Sequence, residues 1–196
     1  MTFGAFAISR CIRYIDDFLL VTRSKKATDT WFKKAMSILN EHDLQISPDK
    51  TFRGPISGGF QFLGIELANG IIRPSRESRI RLQSKISKSI ERGIKAFRSF
   101  DDTKPFRRSD SLIGVMNEVR GIVNGWAKQY RFCNESNLFS QLDDAIDKKI
   151  NEYLSAYKIA RGKTTKEGKR FLLGIEPISR LATSPFEWPK SLSNIG

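Results

Sequence analysis

The sequence predicts an α+β protein, a partial antiparallel sheet with one packed helix followed by an all-helical part of three helices. Three observations predict it. Residues 11–73 hold short runs rich in β-branched and aromatic residues, separated by turn signals. Within that stretch only residues 27–42 repeat their apolar positions at the helical period. After Pro74 the period becomes helical and the charge strongly basic. These changes divide the chain into a mixed part (1–74), a basic helical part (75–160), and a basic loop with an irregular tail (161–196).

The first two strands lie in Cys-Ile-Arg-Tyr-Ile-Asp-Asp-Phe-Leu-Leu-Val-Thr-Arg (11–23), with Asp16 and Asp17 where a two-residue turn falls. Asn-Gly or Asp-Gly would supply the positive φ angles of such a turn at lower cost. Two ionised carboxylates side by side repel, and a divalent cation removes the repulsion. Mg²⁺ held by carboxylates serves phosphoryl transfer, two ions flanking the attacking and leaving oxygens. At this point an idle, solvated acidic tip competes with that reading.

Residues 27–42 place Trp31, Ala35, Ile38, Leu39 and His42 on one helical face, with Asp29 in the first turn. Leu44 and Ile46 alternate as a short strand, and Ser47-Pro48-Asp49 then forms a turn that delivers Lys50. A Gly/Pro break covers 53–59. Residues 59–67 read as one strand through Phe60, Phe62, Ile65 and Leu67, and Ala68-Asn69-Gly70 turns the chain into Ile71-Ile72-Arg73.

Beyond Pro74, Ser75 is suited to cap a helix beginning at Arg76, whose apolar stripe is Leu82, Ile86, Ile90, Ile94 and Phe97. Arg73, Arg76, Arg79, Arg81, Lys85, Lys88, Arg92, Lys95 and Arg98 supply the remaining faces, against Glu77 and Glu91. A solvated helix of this length normally mixes its signs, so this one reads as a phosphate-facing surface. Residues 101–111 are a polar linker. A second helix over 112–132 turns Leu112, Met116, Val119, Val123, Trp126 and Tyr130 inward. A third, over 136–160, does so with Phe139, Leu142, Ile146, Ile150, Tyr153 and Tyr157. The aromatics read as core, with Tyr130 and Arg131 kept as candidates for base stacking. Residues 161–170 read as a flexible basic loop. Its Gly162-Lys163-Thr164 lacks the earlier glycine and preceding strand of a phosphate-binding loop and is set aside. In the tail, Pro177, Pro185 and Pro189 predict irregular chain pinned by Phe186 and Trp188.

Composition bounds the function. A hydrophobic content of 39% with 14 Phe in 196 residues predicts a folded chain. The net charge of +13 selects a polyanionic partner, either nucleic acid or an anionic membrane face. No apolar run approaches the ~18 residues needed to cross a bilayer, and the first ten residues make a poor signal peptide. Cys11 and Cys133 are too few for a disulfide framework, which predicts a reduced, cytoplasmic setting. His42, the one histidine, cannot build a histidine metal site alone.

Four blocks in order resemble one family. Tyr14-Ile-Asp-Asp17 resembles the Tyr-x-Asp-Asp hairpin of reverse transcriptases. Leu44-Gln-Ile-Ser-Pro-Asp-Lys-Thr51 is similar to the family's following segment, whose lysine, here Lys50, lies near the incoming nucleotide's phosphates. Gly59-Phe-Gln-Phe-Leu-Gly64 is similar to the next block, associated with holding the primer end. Arg120-Gly-Ile-Val-Asn-Gly-Trp-Ala-Lys-Gln-Tyr130 and Phe139-Ser-Gln-Leu-Asp143 resemble the thumb or maturase region of bacterial group II intron reverse transcriptases. The resemblance spans roughly 11–157. Ile15 departs from it, standing where that branch usually has Ala.

The resemblance implies an RNA-directed DNA polymerase, with part of the palm in 1–74 and a maturase-like thumb in 75–160. It implies Mg²⁺ held by Asp16 and Asp17 as catalytic ligands, and substrate contacts from Tyr14, Lys50, Phe60, Leu63 and Gly64. Read with the charge pattern, it makes Arg73, Arg76, Arg79, Lys85, Lys88 and Arg92 the nucleic-acid contacts. The family's fingers and the palm strand with its first metal-binding Asp precede the hairpin. Here 13 residues precede Tyr14, and no Asp or Glu precedes Asp16. The expectation is therefore the C-terminal part of a reverse transcriptase with an incomplete two-metal site. It would synthesise DNA on an RNA template only if completed by the missing fingers and palm. The alternative is a non-catalytic, maturase-like RNA-binding module. The expected partners are an RNA template and the RNA–DNA duplex, intron RNA, and a separate N-terminal reverse transcriptase fragment, with no membrane. Without the covering palm strand, Ile12, Phe18 and Leu20 should be partly exposed.

Overall fold

The computed structural model describes residues 10–178 and divides between Ser75 and Arg76 into two compact units. The described residues form five helices and two antiparallel sheets of two and three strands, an α+β arrangement.

In the first unit, β1 (Arg10–Tyr14) and β2 (Asp17–Val21) make a hairpin whose register runs from Arg10 opposite Val21 to Tyr14 opposite Asp17. The turn is Ile15–Asp16, one residue earlier than expected, so Asp17 opens β2. Arg13 Nε donates to the Ile15 carbonyl oxygen at 2.8 Å and closes the turn from outside. Ile15 takes φ +54°, a left-handed conformation that costs an L-residue about 1–2 kcal/mol. Ile12 is 51% exposed, and Phe18 and Leu20 are half-buried; among the described residues no further strand pairs with this hairpin.

Helix α1 (Lys25–Glu41) starts at Ser24, whose Oγ accepts from the Ala27 N–H at 3.2 Å. Its inner face is Thr28, Phe32, Ala35, Met36 and Leu39; Trp31 and Ile38, expected there, are exposed. The helix carries two apolar rows about 100° apart. Asp29 forms an ion pair with Arg53, and the Arg53 guanidinium lies 4.3 Å from the Phe32 ring centroid. That pin on the following loop favours the Phe32 row. His42 is the exposed C-cap.

The strand expected at Leu44–Ile46 is irregular chain, followed by a short 3-10 turn at Pro48–Lys50. The strand expected over 59–67 breaks at Leu63 and Gly64, both at positive φ (50° and 76°). The result is a meander of β3 (Phe60–Phe62), β4 (Ile65–Ala68) and β5 (Ile71–Pro74), its second turn at Asn69 and Gly70. The strands thus lie in two sheets, not in the single partial sheet expected.

In the second unit, α2 (Arg76–Arg98), α3 (Leu112–Tyr130) and α4 (Ser136–Gly162) pack together with a short α5 (Lys166–Leu173). The predicted α2 stripe is buried at Leu82, Ile86, Ile90 and Phe97 and half-buried at Ile94. It meets Val115 and Val119 of α3, Ile146 and Tyr153 of α4, and Leu172 of α5. Phe97 stacks on Tyr153 at 5.0 Å between centroids. Gly93 permits this approach, since a Cβ there would sit 2.6 Å from the Tyr153 ring and 2.9 Å from Val115.

Two expectations change in this unit. Tyr130 is buried and its hydroxyl accepts from Ser78 Oγ at 2.7 Å, while Trp126 Nε1 donates to the same Ser78 oxygen at 3.0 Å. Tyr130 is therefore core, not a base-stacking platform; Arg131 is the exposed C-cap of α3. The expected flexible loop at 161–170 is instead the end of α4 and most of α5. Thr165 caps α5, its Oγ1 accepting from Gly168 N at 3.1 Å, and Gly174 ends it at φ +97°. Leu172 is fully buried, so α5 belongs to the helical core rather than to a tail. The readings made for Pro185, Phe186, Trp188 and Pro189 lie outside the described residues.

Candidate active site and nucleic-acid interface

The hairpin turn sets the first group of candidate residues. Tyr14 ends β1, 58% exposed, opposite Asp17. Asp16 sits in the turn and Asp17 on the first position of β2, both exposed. Neither carboxylate enters an ion pair or a side-chain hydrogen bond among the described residues, which leaves their oxygens available to a cation. A pair on neighbouring backbone positions suits one Mg²⁺ that keeps several of its waters. A two-ion clamp needs carboxylates bridging ions ~3.5–4 Å apart. Among the described residues no group of three His, Cys, Asp or Glu side chains comes together to provide it.

The other candidates lie apart from the pair in sheet structure. Lys50 ends its 3-10 turn, exposed, its N–H donating to the Ser47 carbonyl at 3.1 Å while Thr51 Oγ1 donates to the same oxygen at 2.7 Å. Phe60 opens β3, half-buried, opposite Leu67. Leu63 and Gly64 form the strained turn after it, and the Gly64 carbonyl accepts from the Ser75 N–H at 2.8 Å. The structure thus gathers Tyr14, Asp16 and Asp17 on one hairpin and Phe60, Leu63 and Gly64 on another, without uniting the two in one sheet.

The basic candidates sort by what holds them. Arg73 faces Glu66 across the β4–β5 pair and forms an ion pair with it at 2.7 Å. Arg76 and Arg79 line an open groove of about 250 Å³ between α2 and α4, together with Ile80, Gln83 and Gln141. Lys85 and Lys88 are exposed and enter no ion pair among the described residues. With Arg81, Arg92 and Lys95 they recur at steps of four and three along one exposed side of α2. At 1.5 Å per residue that ridge is about 21 Å long.

Arg92 interrupts the ridge. Its Nε donates to Asp110 Oδ1 at 3.0 Å and its Nη2 to Glu118 Oε2 at 2.5 Å, while Ser89 Oγ donates to Glu118 Oε1 at 2.7 Å. The Glu118 hydrogen bond raises the Arg92 pKa, and the Arg92 and Ser89 hydrogen bonds hold the Glu118 carboxyl below its ordinary value. Arg92 therefore clamps α2 to α3, its side chain 44% exposed while its guanidinium is shared between two carboxylates. The residues that continue the accessible ridge are Arg81 and Lys95. Both belong to the basic faces read from the sequence, whereas the partners of Arg92 lie 18 and 26 residues away and leave no local signal.

No helix among the described residues is long and apolar enough to cross a membrane. Comparison with protein-family models, with curated proteins and with solved structures finds no match to this chain.

Proposed function

We propose that the chain is a reverse transcriptase-family protein of the group II intron, maturase-like branch. In this reading the first unit is part of the palm and the helical unit is the thumb. The observation that carries it is the β1–β2 hairpin, which leaves two adjacent, uncompensated carboxylates exposed beside a left-handed Ile15. Strain of this kind concentrates at functional sites. Mg²⁺ held there would neutralise charge on the transferring phosphoryl group. Asp16 and Asp17 would anchor the ion, and Tyr14 would lie beside the substrate. Lys50 would meet its phosphates, and Phe60, Leu63 and Gly64 would support the primer end. The exposed side of α2 would hold an RNA template or RNA–DNA duplex by its backbone, which suits the shape-read minor groove of A-form helices.

The absence of a third carboxylate beside the pair, among the described residues, favours a second form of the reading. Polymerisation then requires carboxylates from outside the described residues or from another chain, and without them the protein is a non-catalytic RNA-binding module. Primer extension separates the two. The purified chain with Mg²⁺ should not extend a primer on an RNA template. Adding a fragment that supplies fingers and the first palm aspartate should create activity that Asp16→Asn abolishes. Extension by the chain alone that survives Asp16→Asn together with Asp17→Asn would refute the catalytic assignment of the hairpin.

A further inference from the structure

The densest positive charge outside α2 lies where α4 ends and α5 begins. Lys158, Arg161, Lys163, Lys166, Lys169 and Arg170 are all exposed, and Glu167 is the one acid among residues 158–170. The corner is built rather than loose. Asp102, in the loop after α2, accepts from Thr164 Oγ1 at 2.6 Å, from Thr165 Oγ1 at 3.0 Å and from the Thr165 N–H at 3.3 Å. Gly168 is buried against this junction, where a Cβ would collide with the Asp102 carboxylate and Thr164 Oγ1. Leu172 is fully buried and Phe171 and Leu173 are half-buried, which fixes the rotation of α5. Lys166, Lys169 and Arg170 then share its outer face at steps of three and four. The loop carrying Asp102 also bears Lys104, Arg107 and Arg108, all exposed.

We propose that the α4–α5 corner, pinned by Asp102, is a second phosphate-contact patch through which the helical unit grips a nucleic-acid backbone, in addition to the α2 ridge. It rests on the nucleic-acid reading above. A pinned array loses less side-chain and loop freedom on binding than a mobile basic loop would. A membrane surface fits less well, because amphipathic membrane binding needs an apolar face to insert; those of α5 are engaged in packing, and Ile159 is the one exposed large hydrophobic residue among residues 158–170.

Salt-dependent binding of the full chain to a mixed-sequence RNA–DNA hybrid tests it. The slope of log K against log salt falls by ~0.7–0.9 for each phosphate the protein ceases to neutralise. Lys166→Ala/Lys169→Ala/Arg170→Ala should therefore lower the slope by about 2–3. Asp102→Ala removes a negative charge, so charge alone predicts tighter binding; loss of the pin predicts weaker binding. A wild-type slope in the corner triple, beside a reduced slope in Lys85→Ala/Lys88→Ala, would overturn the corner and leave the α2 ridge standing. The converse would remove the ridge and keep the corner. Unchanged or tighter binding by Asp102→Ala would overturn the pinning. Wild-type protein that prefers anionic phospholipid vesicles, or does not bind the hybrid, would overturn both.

Discussion

From Arg10 to Arg73 no side chain is fully buried, while twelve hydrophobic side chains are buried between Leu82 and Leu172. Of the seventeen exposed large hydrophobic residues among those described, ten lie in the first unit, Ile12, Tyr14, Ile15 and Trp31 among them. The difference follows from geometry. A two-stranded hairpin is marginal alone, and a three-stranded meander with one helix offers few second faces to close an interior. Domains near 60 residues bury only about 60% of their unfolded surface. Three long helices give each apolar stripe two partners. The first unit therefore displays its site residues on a frame with little stability of its own, while the second holds its charges on a packed core.

The largest effect should come from the helical core. Tyr153 is fully buried, stacks on Phe97, and donates its hydroxyl to the Ser111 carbonyl at 3.0 Å; burial pushes its pKa well up. Tyr153→Ala should cost about 3–5 kcal/mol in urea unfolding of the second unit. Half-buried Leu20→Ala in the hairpin should cost about 1 kcal/mol or less. Equal losses would erase the contrast.

The clamp around Arg92 gives an intermediate effect. Glu118→Gln should cost about 1 kcal/mol, a figure held down because its side chain is 40% exposed and screened. Its folded pKa lies below the ordinary 4.5, so its contribution is present above that value and is lost as pH falls through the folded one. Acid unfolding of the second unit should be shallower in Glu118→Gln, as a pH titration of helical circular dichroism would show. An unchanged acid limb would mean that the clamp adds nothing to stability.

The smallest effect is local. Ile15→Gly relieves a left-handed φ while adding glycine's backbone entropy, for a net gain of no more than about 1 kcal/mol confined to the first unit. Any shift in the second unit's unfolding midpoint would contradict that confinement.

These contrasts also explain what the sequence disclosed. The α2 stripe, the Asn69-Gly70 turn and the extents of α3 and α4 were legible because period and turn chemistry are local. The Leu63-Gly64 turn was hidden, because leucine is an unlikely residue at positive φ and the flanking residues read as continuous strand. The two-row face of α1 was settled by Arg53, 24 residues from Asp29. Helix α5 was missed because its lysines masked a capping threonine and a single buried leucine. Among the site residues, the hairpin carboxylates were legible as a pair, although the turn came one residue earlier than expected. The role of Arg92 rested on tertiary partners that spacing cannot show.

Native-state hydrogen exchange on the full chain, with and without an RNA–DNA hybrid, tests the contrast and the binding face together. Amides of β1 and β2 should exchange at least ~100-fold faster than those buried in α3 and α4, since local opening free energies follow packing. The hybrid should add protection along α2 from Arg81 to Lys95 and little in the hairpin. A hairpin protected as well as α3 and α4, or a bound hybrid that leaves α2 unchanged, would contradict it.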